Sequence, residues 1–310
     1  MFLNNMMTAA QQVLILYIIV AVGFVADRLH VFTQDTAKLC NNLLFYIVTP
    51  VVIIRSFMTM ECDKATAGKF FICFVIMCVT IFVGILLAIP FFNKCGKAGA
   101  VYKYASSYGN MGYMALPLAN AILGAEGVFF CATGSIAFNI IAFTHGIWLM
   151  NKDCEGKTEF DLKRLILNPG VISVLIGLPF FIFKIDVPEV IDSSLQHIGN
   201  MNTPLAMLFL GTYIANTDLK TMFKDKYSYL VLLIKLAATP LCMLGVLKLL
   251  GVSGTILTVC IICASVPCAT NTVMFSAKYD KDTGLASKVV ALCSLFSVVT
   301  MPIMIALSKI

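Results

Sequence analysis

Between Tyr104 and Gly124 the chain reads YASSYGNMGYMALPLANAILG, apolar and long enough to cross a bilayer, with Gly109, Asn110, Gly112 and Pro117 at its centre. Glycine costs a helix about 1 kcal/mol relative to alanine, and proline about 3. A segment built only to span or pack has no use for them at mid-depth. A helix that unwinds there exposes amides and carbonyls that hydrocarbon cannot satisfy, so the break has to be buried in protein or line a polar cavity. A second stretch, Gly254 to Tyr279 (GTILTVCIICASVPCATNTVMFSAKY), repeats the arrangement around Ser265, Pro267, Thr270 and Asn271. Interrupted spans at corresponding positions of two halves point to the substrate site of a transporter.

The rest of the chain suits the same solvent. Only 12% of its 310 residues are charged, against about 25% in soluble proteins. Apolar runs, each long enough to cross a core of about 30 Å, recur at 10–31, 35–58, 68–92, 99–122, 126–150, 165–184, 196–216, 228–250, 253–278 and 283–307. The expected fold class is therefore an all-α polytopic membrane protein with ten transmembrane helices. No basic residue precedes the first span, unlike a cleaved leader. Of the 22 Lys and Arg, 16 lie in or beside odd-numbered loops, including Arg28, Lys97, Lys157 and Lys224. The positive-inside rule puts those loops in the cytoplasm and both termini outside a cytoplasmic (inner) membrane. The net charge of +6 is thus a matter of topology; lipid is the expected surrounding and nucleic acid is not a partner.

Five spans per half start the second half on the opposite side, so any repeat is inverted. Thr49-Pro50 and Thr203-Pro204 lie 154 positions apart, Pro117 and Pro267 150 apart. This divides the chain into residues 1–150, a cytoplasmic linker at 151–164 (NKDCEGKTEFDLKR) and residues 165–310. Of the twelve cysteines, Cys260 and Cys263 form a C-x-x-C with no companion His or second pair in the sequence. They read as buried, inert thiols.

All 16 carboxylates fall in loops or near span ends, which argues against a carboxylate-based sodium/proton antiporter, since buried ionisable groups are what such relays use. What remains at mid-depth is neutral. Asn110 and Asn271 bring amides to the two breaks; they either cap their own unwound helices or, with the freed half-helix N-termini, face an anion. Each N-terminus carries about half a positive charge and free N–H donors, enough to hold a carboxylate without an arginine. Gly109, Met111, Gly112 and Thr270 flank these asparagines, and Pro117 and Pro267 are expected to fix the breaks. Asn41, nine positions before Pro50, faces either this cavity or a neighbouring helix. Asn139 reads as an interhelical hydrogen-bonder, His145 as a structural histidine, and Ser294, Ser297 and Thr300 as a packing stripe. Lys235 and Lys288 are long enough to snorkel to the interface. No nucleophile with its base, metal cluster or phosphate loop is found; an enzyme, a cofactor and a metal are not expected.

These residues resemble the auxin efflux carrier family, which groups plant auxin carriers with bacterial permeases for malate and malonate. Gly109-Asn110 followed by Met114-Ala115-Leu116-Pro117 is similar to the family's fourth span, and Val266-Pro267 with Phe275-Ser276-Ala277-Lys278-Tyr279-Asp280 to its ninth. Pro204-Leu205-Ala206-Met207 with Gly211 is similar to the seventh, and Asn41 with Pro50 to the second. The resemblance implies two inverted five-helix repeats with broken, crossing helices four and nine, a fold like that of bile-acid symporters and sodium/proton antiporters. It implies a scaffold of spans one, two, six and seven, and a transport domain of spans three to five and eight to ten. Substrate would bind beside the crossing and move by an elevator mechanism; homodimers in the family imply a dimer here. The segment Cys268-Ala269-Thr270-Asn271 departs from the family pattern, and the short central linker favours a permease for a small carboxylate over an auxin carrier. A sodium-coupled organic-anion symporter on the same fold is the alternative, with a polytopic membrane enzyme more distant.

Overall fold

The structure is a computed structural model that describes residues 2–61, 63–151, 168–217 and 219–309; apart from Asn151, the linker expected at 151–164 lies outside them. The described residues are helical throughout, in the order α1 (Phe2–Arg28), α2 (Gln34–Thr59), α3 (Lys64–Phe92), α4 (Gly96–Ser107), α5 (Met111–Asn151), α6 (Pro169–Phe183), α7 (Glu189–Asn200), α8 (Asn202–Ala215), α9 (Leu219–Met222), α10 (Lys226–Leu249), α11 (Gly254–Ser265), α12 (Asn271–Lys278) and α13 (Thr283–Ser308).

Six helices are long and apolar enough to cross a membrane: Ala10–Arg28 within α1, then α2, α3, α5, α10 and α13; α6 and α11 are shorter apolar helices. At 41 residues α5 is about twice the length one crossing needs, and Gly124, at φ 64° and ψ −150°, breaks it where the fourth and fifth expected spans were to be joined. Large apolar side chains stand outward, among them Phe71 (65% exposed), Phe82 (52%) and Leu86 (66%) of α3. Three such residues on one helix mark a face that meets lipid. The chain is a multi-pass membrane protein.

The helix ends follow the sequence. Asp63, Asp225 and Asp282 cap α3, α10 and α13 by accepting from Thr66, Tyr227 and Leu285 N–H groups, as short oxygen-bearing side chains do. Prolines inside spans are absorbed rather than used as breaks. Widened π turns at Leu44–Val48, Met111–Ala115 and Ile234–Ala238 each end two residues before a proline: Pro50, Pro117 and Pro240. A proline ring clashes with the carbonyl four residues back, which in each case falls inside the widened turn. Pro117 therefore does not fix a break, contrary to the expectation; the break lies seven residues before it, at Asn110.

Helix α1 packs along α8 and α13, α2 along α6, α7 and α8, and α3 against α4, α5 and α11. The serine stripe of α13 is a packing stripe as expected: the Tyr17 hydroxyl donates to the Ser294 carbonyl at 2.6 Å and meets Ser297 Oγ at 2.6 Å. The C-x-x-C thiols have partners after all. Cys73 lies 3.9 Å from Cys260 and Cys131 lies 3.5 Å from Cys263, pairs that unite distant parts of the chain.

Between α2 and α7, Arg55 grips Asp192 with both prongs, Nε to Oδ1 at 2.8 Å and Nη2 to Oδ2 at 3.0 Å. Hydrogen bonding from Arg55 holds the Asp192 carboxyl below its ordinary value. A carboxyl depressed in the folded state contributes stability above its unfolded pKa of about 3.9, and that contribution is lost as pH falls through the folded value. Asp192→Asn is expected to lower the melting temperature slightly at pH 7, consistent with a half-exposed pair worth about 1 kcal/mol or less. The deficit relative to wild type should shrink as pH falls through the folded value; a deficit unchanged by acid would show that the pair contributes nothing.

Candidate functional site

Helix α4 ends at Ser107 and α5 begins at Met111, leaving Tyr108, Gly109 and Asn110 outside both helices; α11 ends at Ser265 and α12 begins at Asn271, with 266–270 outside both helices. The two unwound segments lie against each other. Gly109 and Cys268 form an antiparallel bridge, with Asn110 N–H donating to the Pro267 carbonyl at 2.8 Å and Ala269 N–H to the Tyr108 carbonyl at 2.9 Å. Each break thus satisfies backbone groups that the other frees, as buried polar backbone must be satisfied. Gly109 is required by closeness: a Cβ there would stand 2.8 Å from Val266 Cγ2 and 3.0 Å from Lys235 Nζ.

The two half-helix N-termini, at Asn110 and Thr270, open on one pocket. Asn110, 4% exposed, caps α5 by accepting from the Tyr113 N–H at 3.2 Å. Thr270 and Asn271 are partly exposed, and the Asn271 amide makes no side-chain hydrogen bond among the described residues. Thr49 of α2, Ser135 and Asn139 of α5, and Asn168 complete the polar lining. Ser135 Oγ is buried without a hydrogen-bond partner among the described residues. Asn139 is the interhelical bonder expected, its Nδ2 donating to Asn168 Oδ1 at 3.1 Å; Asn168 in turn caps α6 through the Gly170 N–H at 2.9 Å. Among the described residues no charged side chain lines the pocket.

Of the nine residues singled out from sequence, Gly109, Asn110, Met111, Gly112, Thr270 and Asn271 line this pocket. Pro267 takes part through its carbonyl alone, and Pro117 lies beyond, on α5. Asn41 lines a second, larger cavity, together with Lys38, Asn216 and Ser287. Tyr113, Thr270 and Asn271 belong to both cavities, and the Tyr113 hydroxyl closes on Asn41 Oδ1 at 2.6 Å. Sequence reasoning passed over Tyr113 and Ser135. Both follow from helical spacing, Tyr113 three residues after the capping Asn110 and Ser135 four before Asn139, hence on the same faces. His145 is half-buried, and its Nδ1 meets the Tyr108 hydroxyl at 2.9 Å. Lys235, expected to snorkel, is instead buried at 2% exposure. It lies behind the bridge, where its Nζ donates to the Ala264 carbonyl at 3.2 Å.

Chemically, two positive helix poles facing amides and hydroxyls can hold an anion. The sequence matches the family described as membrane transport protein over residues 8–161 and 157–305. It is 25% identical over 297 residues to an uncharacterized transporter of Methanocaldococcus jannaschii, covering 92% of this chain and 94% of that protein. A putative malonate transporter of Rhizobium meliloti is 22% identical over 290 residues (91% and 90%). Auxin efflux carrier component 5 of Arabidopsis thaliana is 22% identical over 332 residues (94% and 93%).

Proposed function

This chain belongs to the auxin efflux carrier family of membrane transport proteins, and from that premise we propose that it is a secondary transporter for a small mono- or dicarboxylate in the cytoplasmic membrane. The observation that carries the reading is the pocket in which the half-helix N-termini of α5 and α12 converge, without an acidic side chain among the described residues. Substrate carboxylate oxygens accept from the N–H groups of Gly112 and Asn271, since those of Met111, Tyr113, Thr272 and Val273 are already bonded, and from the Asn110 and Asn271 amides. Ser135, whose hydroxyl has no partner among the described residues, supplies a donor for a second polar end. Malonate fits this chemistry, and the R. meliloti relative bears that substrate's name.

The site bound in this way is carried by an elevator step. Helices α3–α5 and α10–α13 move as one body against α1, α2 and α6–α8, and the pocket is handed from one face of the membrane to the other. The Tyr113–Asn41 hydrogen bond, which joins the two bodies, breaks and re-forms in each cycle.

The test is a thermal-shift screen of C2–C6 carboxylates on purified protein, followed by uptake of the best binder into proteoliposomes. Saturable uptake, competed by other dicarboxylates and not by amines or sugars, is expected. If no carboxylate stabilises the protein and none is taken up, the proposal is wrong.

A further inference from the structure

The charge that governs the junction lies behind the pocket rather than in it. Lys235 sits in the widened turn of α10, buried, with its ammonium donating to the carbonyl of Ala264 in the last turn of α11. The same Nζ stands 3.0 Å from where a Cβ on Gly109 would be, just past the end of α4. The titratable side chains acting on it are the thiols of Cys268, Cys293 and Cys263. Among the described residues no carboxylate pairs with it: the ion pairs found there are Lys38–Asp35 and Arg55–Asp192. A buried ammonium without a counter-ion is strongly disfavoured, so something must offset this one. What faces it is the C-terminal end of α11, with the C-terminal end of α4 close by. Each such end carries about half a negative charge on its unpaired carbonyls, and two ends together match one ammonium.

We propose that Lys235 is a built-in counter-cation of the junction, which sets the carrier's selectivity for an anion and removes the need for a transported sodium ion. With the two C-terminal poles taken up by the ammonium, the two N-terminal poles remain unopposed toward the pocket, and the carried carboxylate supplies the charge they lack. A mobile cation finds the carbonyl ends it would coordinate already occupied. The inference rests on the anion-carrier reading and adds the coupling to it.

Two measurements test it, one of which needs no substrate. In proteoliposomes, malonate uptake by the wild type is expected to be equal in sodium, potassium and choline media. Lys235→Met, similar in length and uncharged, should lose uptake by about tenfold or more, the scale of one lost charge interaction. Lys235→Arg, which cannot deprotonate, should retain most of it. In detergent, the melting temperature of Lys235→Ala should rise with added n-propylammonium, which restores the deleted atoms and their charge, and stay unchanged with n-propanol. Wild-type uptake that stops without sodium, wild-type rates in Lys235→Met, or equal stabilisation by propanol and propylammonium would each overturn the proposal. A wild type that carries no carboxylate, alongside propylammonium rescue of Lys235→Ala, would overturn the transport reading and leave the counter-cation in place.

Discussion

Carboxylate uptake by Asn110→Asp is expected to fall about 100- to 1,000-fold at pH 7, while the variant purifies and melts like the wild type. The substitution separates the two roles of Asn110. As the cap of α5 it accepts from the Tyr113 N–H, and aspartate caps a helix as well as asparagine does; next to the positive pole its charge is even favourable. As a wall of the pocket, however, it would place there the charge that the substrate has to bring. Two like charges about 4 Å apart cost about 4 kcal/mol at an effective dielectric of about 20, close to three decades in affinity. The deficit relative to wild type should shrink as pH falls through the carboxylate range, because a neutral acid no longer repels. Asn110→Ala provides the contrast: it loses the cap, worth about 1 kcal/mol, and so combines a moderate loss of stability with a moderate loss of uptake. An Asp variant that transports at the wild-type rate would remove the anion from the pocket.

Much of that site is legible in the residues because helix breaking is local. Gly109, Asn110 and Pro267 mark their breaks through backbone propensity alone, and the breaks are where the sequence puts them. What propensity cannot convey is which backbone groups the opened segments find, here each other through Gly109 and Cys268. Pro117 misleads because a proline in a long span has a second outlet, the widened turn at Met111–Ala115. Lys235 misleads because a lysine near a span end looks the same on paper whether it reaches water or a helix terminus; only the approach of Ala264 distinguishes them. The cysteine pairs fail for a related reason, since Cys73 and Cys131 come from segments far from Cys260 and Cys263. Tyr113 and Ser135 are ordinary residue types whose significance comes from the pocket they share.

Outside the site, Gly211→Val is expected to be the most damaging single substitution, because it drives a side chain into main chain. Helices α1 and α8 touch backbone to backbone. A Cβ on Gly211 would collide with the Val20 carbonyl and lie 2.6 Å from the Phe24 nitrogen, while one on Gly23 would lie 2.5 Å from the Leu208 carbonyl. Close approach of this kind is how helices associate where lipid is as apolar as leucine and packing has to supply the attraction. A flexible side chain could swing aside, but a helix backbone moves only as a whole. Relieving the overlap therefore separates the pair along its length and strains the bonds at its end, Arg28 Nη2 to the Ala215 carbonyl at 3.0 Å and Asn216 Nδ2 to Asp27 Oδ2 at 3.0 Å. Overpacking in a compliant core costs about 1–3 kcal/mol; with backbone on both sides the cost should reach about 3 kcal/mol or more. The variant should elute as aggregate, or melt well below wild type, in size-exclusion thermal assays. Gly245→Ala is the control, because nothing lies within 4 Å of its added carbon and alanine favours a helix by about 0.5–1 kcal/mol over glycine. A Gly211→Val protein that melts with the wild type would mean that α1 and α8 do not make this contact. The wall that α8 lends to the cavity beside Asn41, through Phe209 and Thr212, would then have to be held by other means.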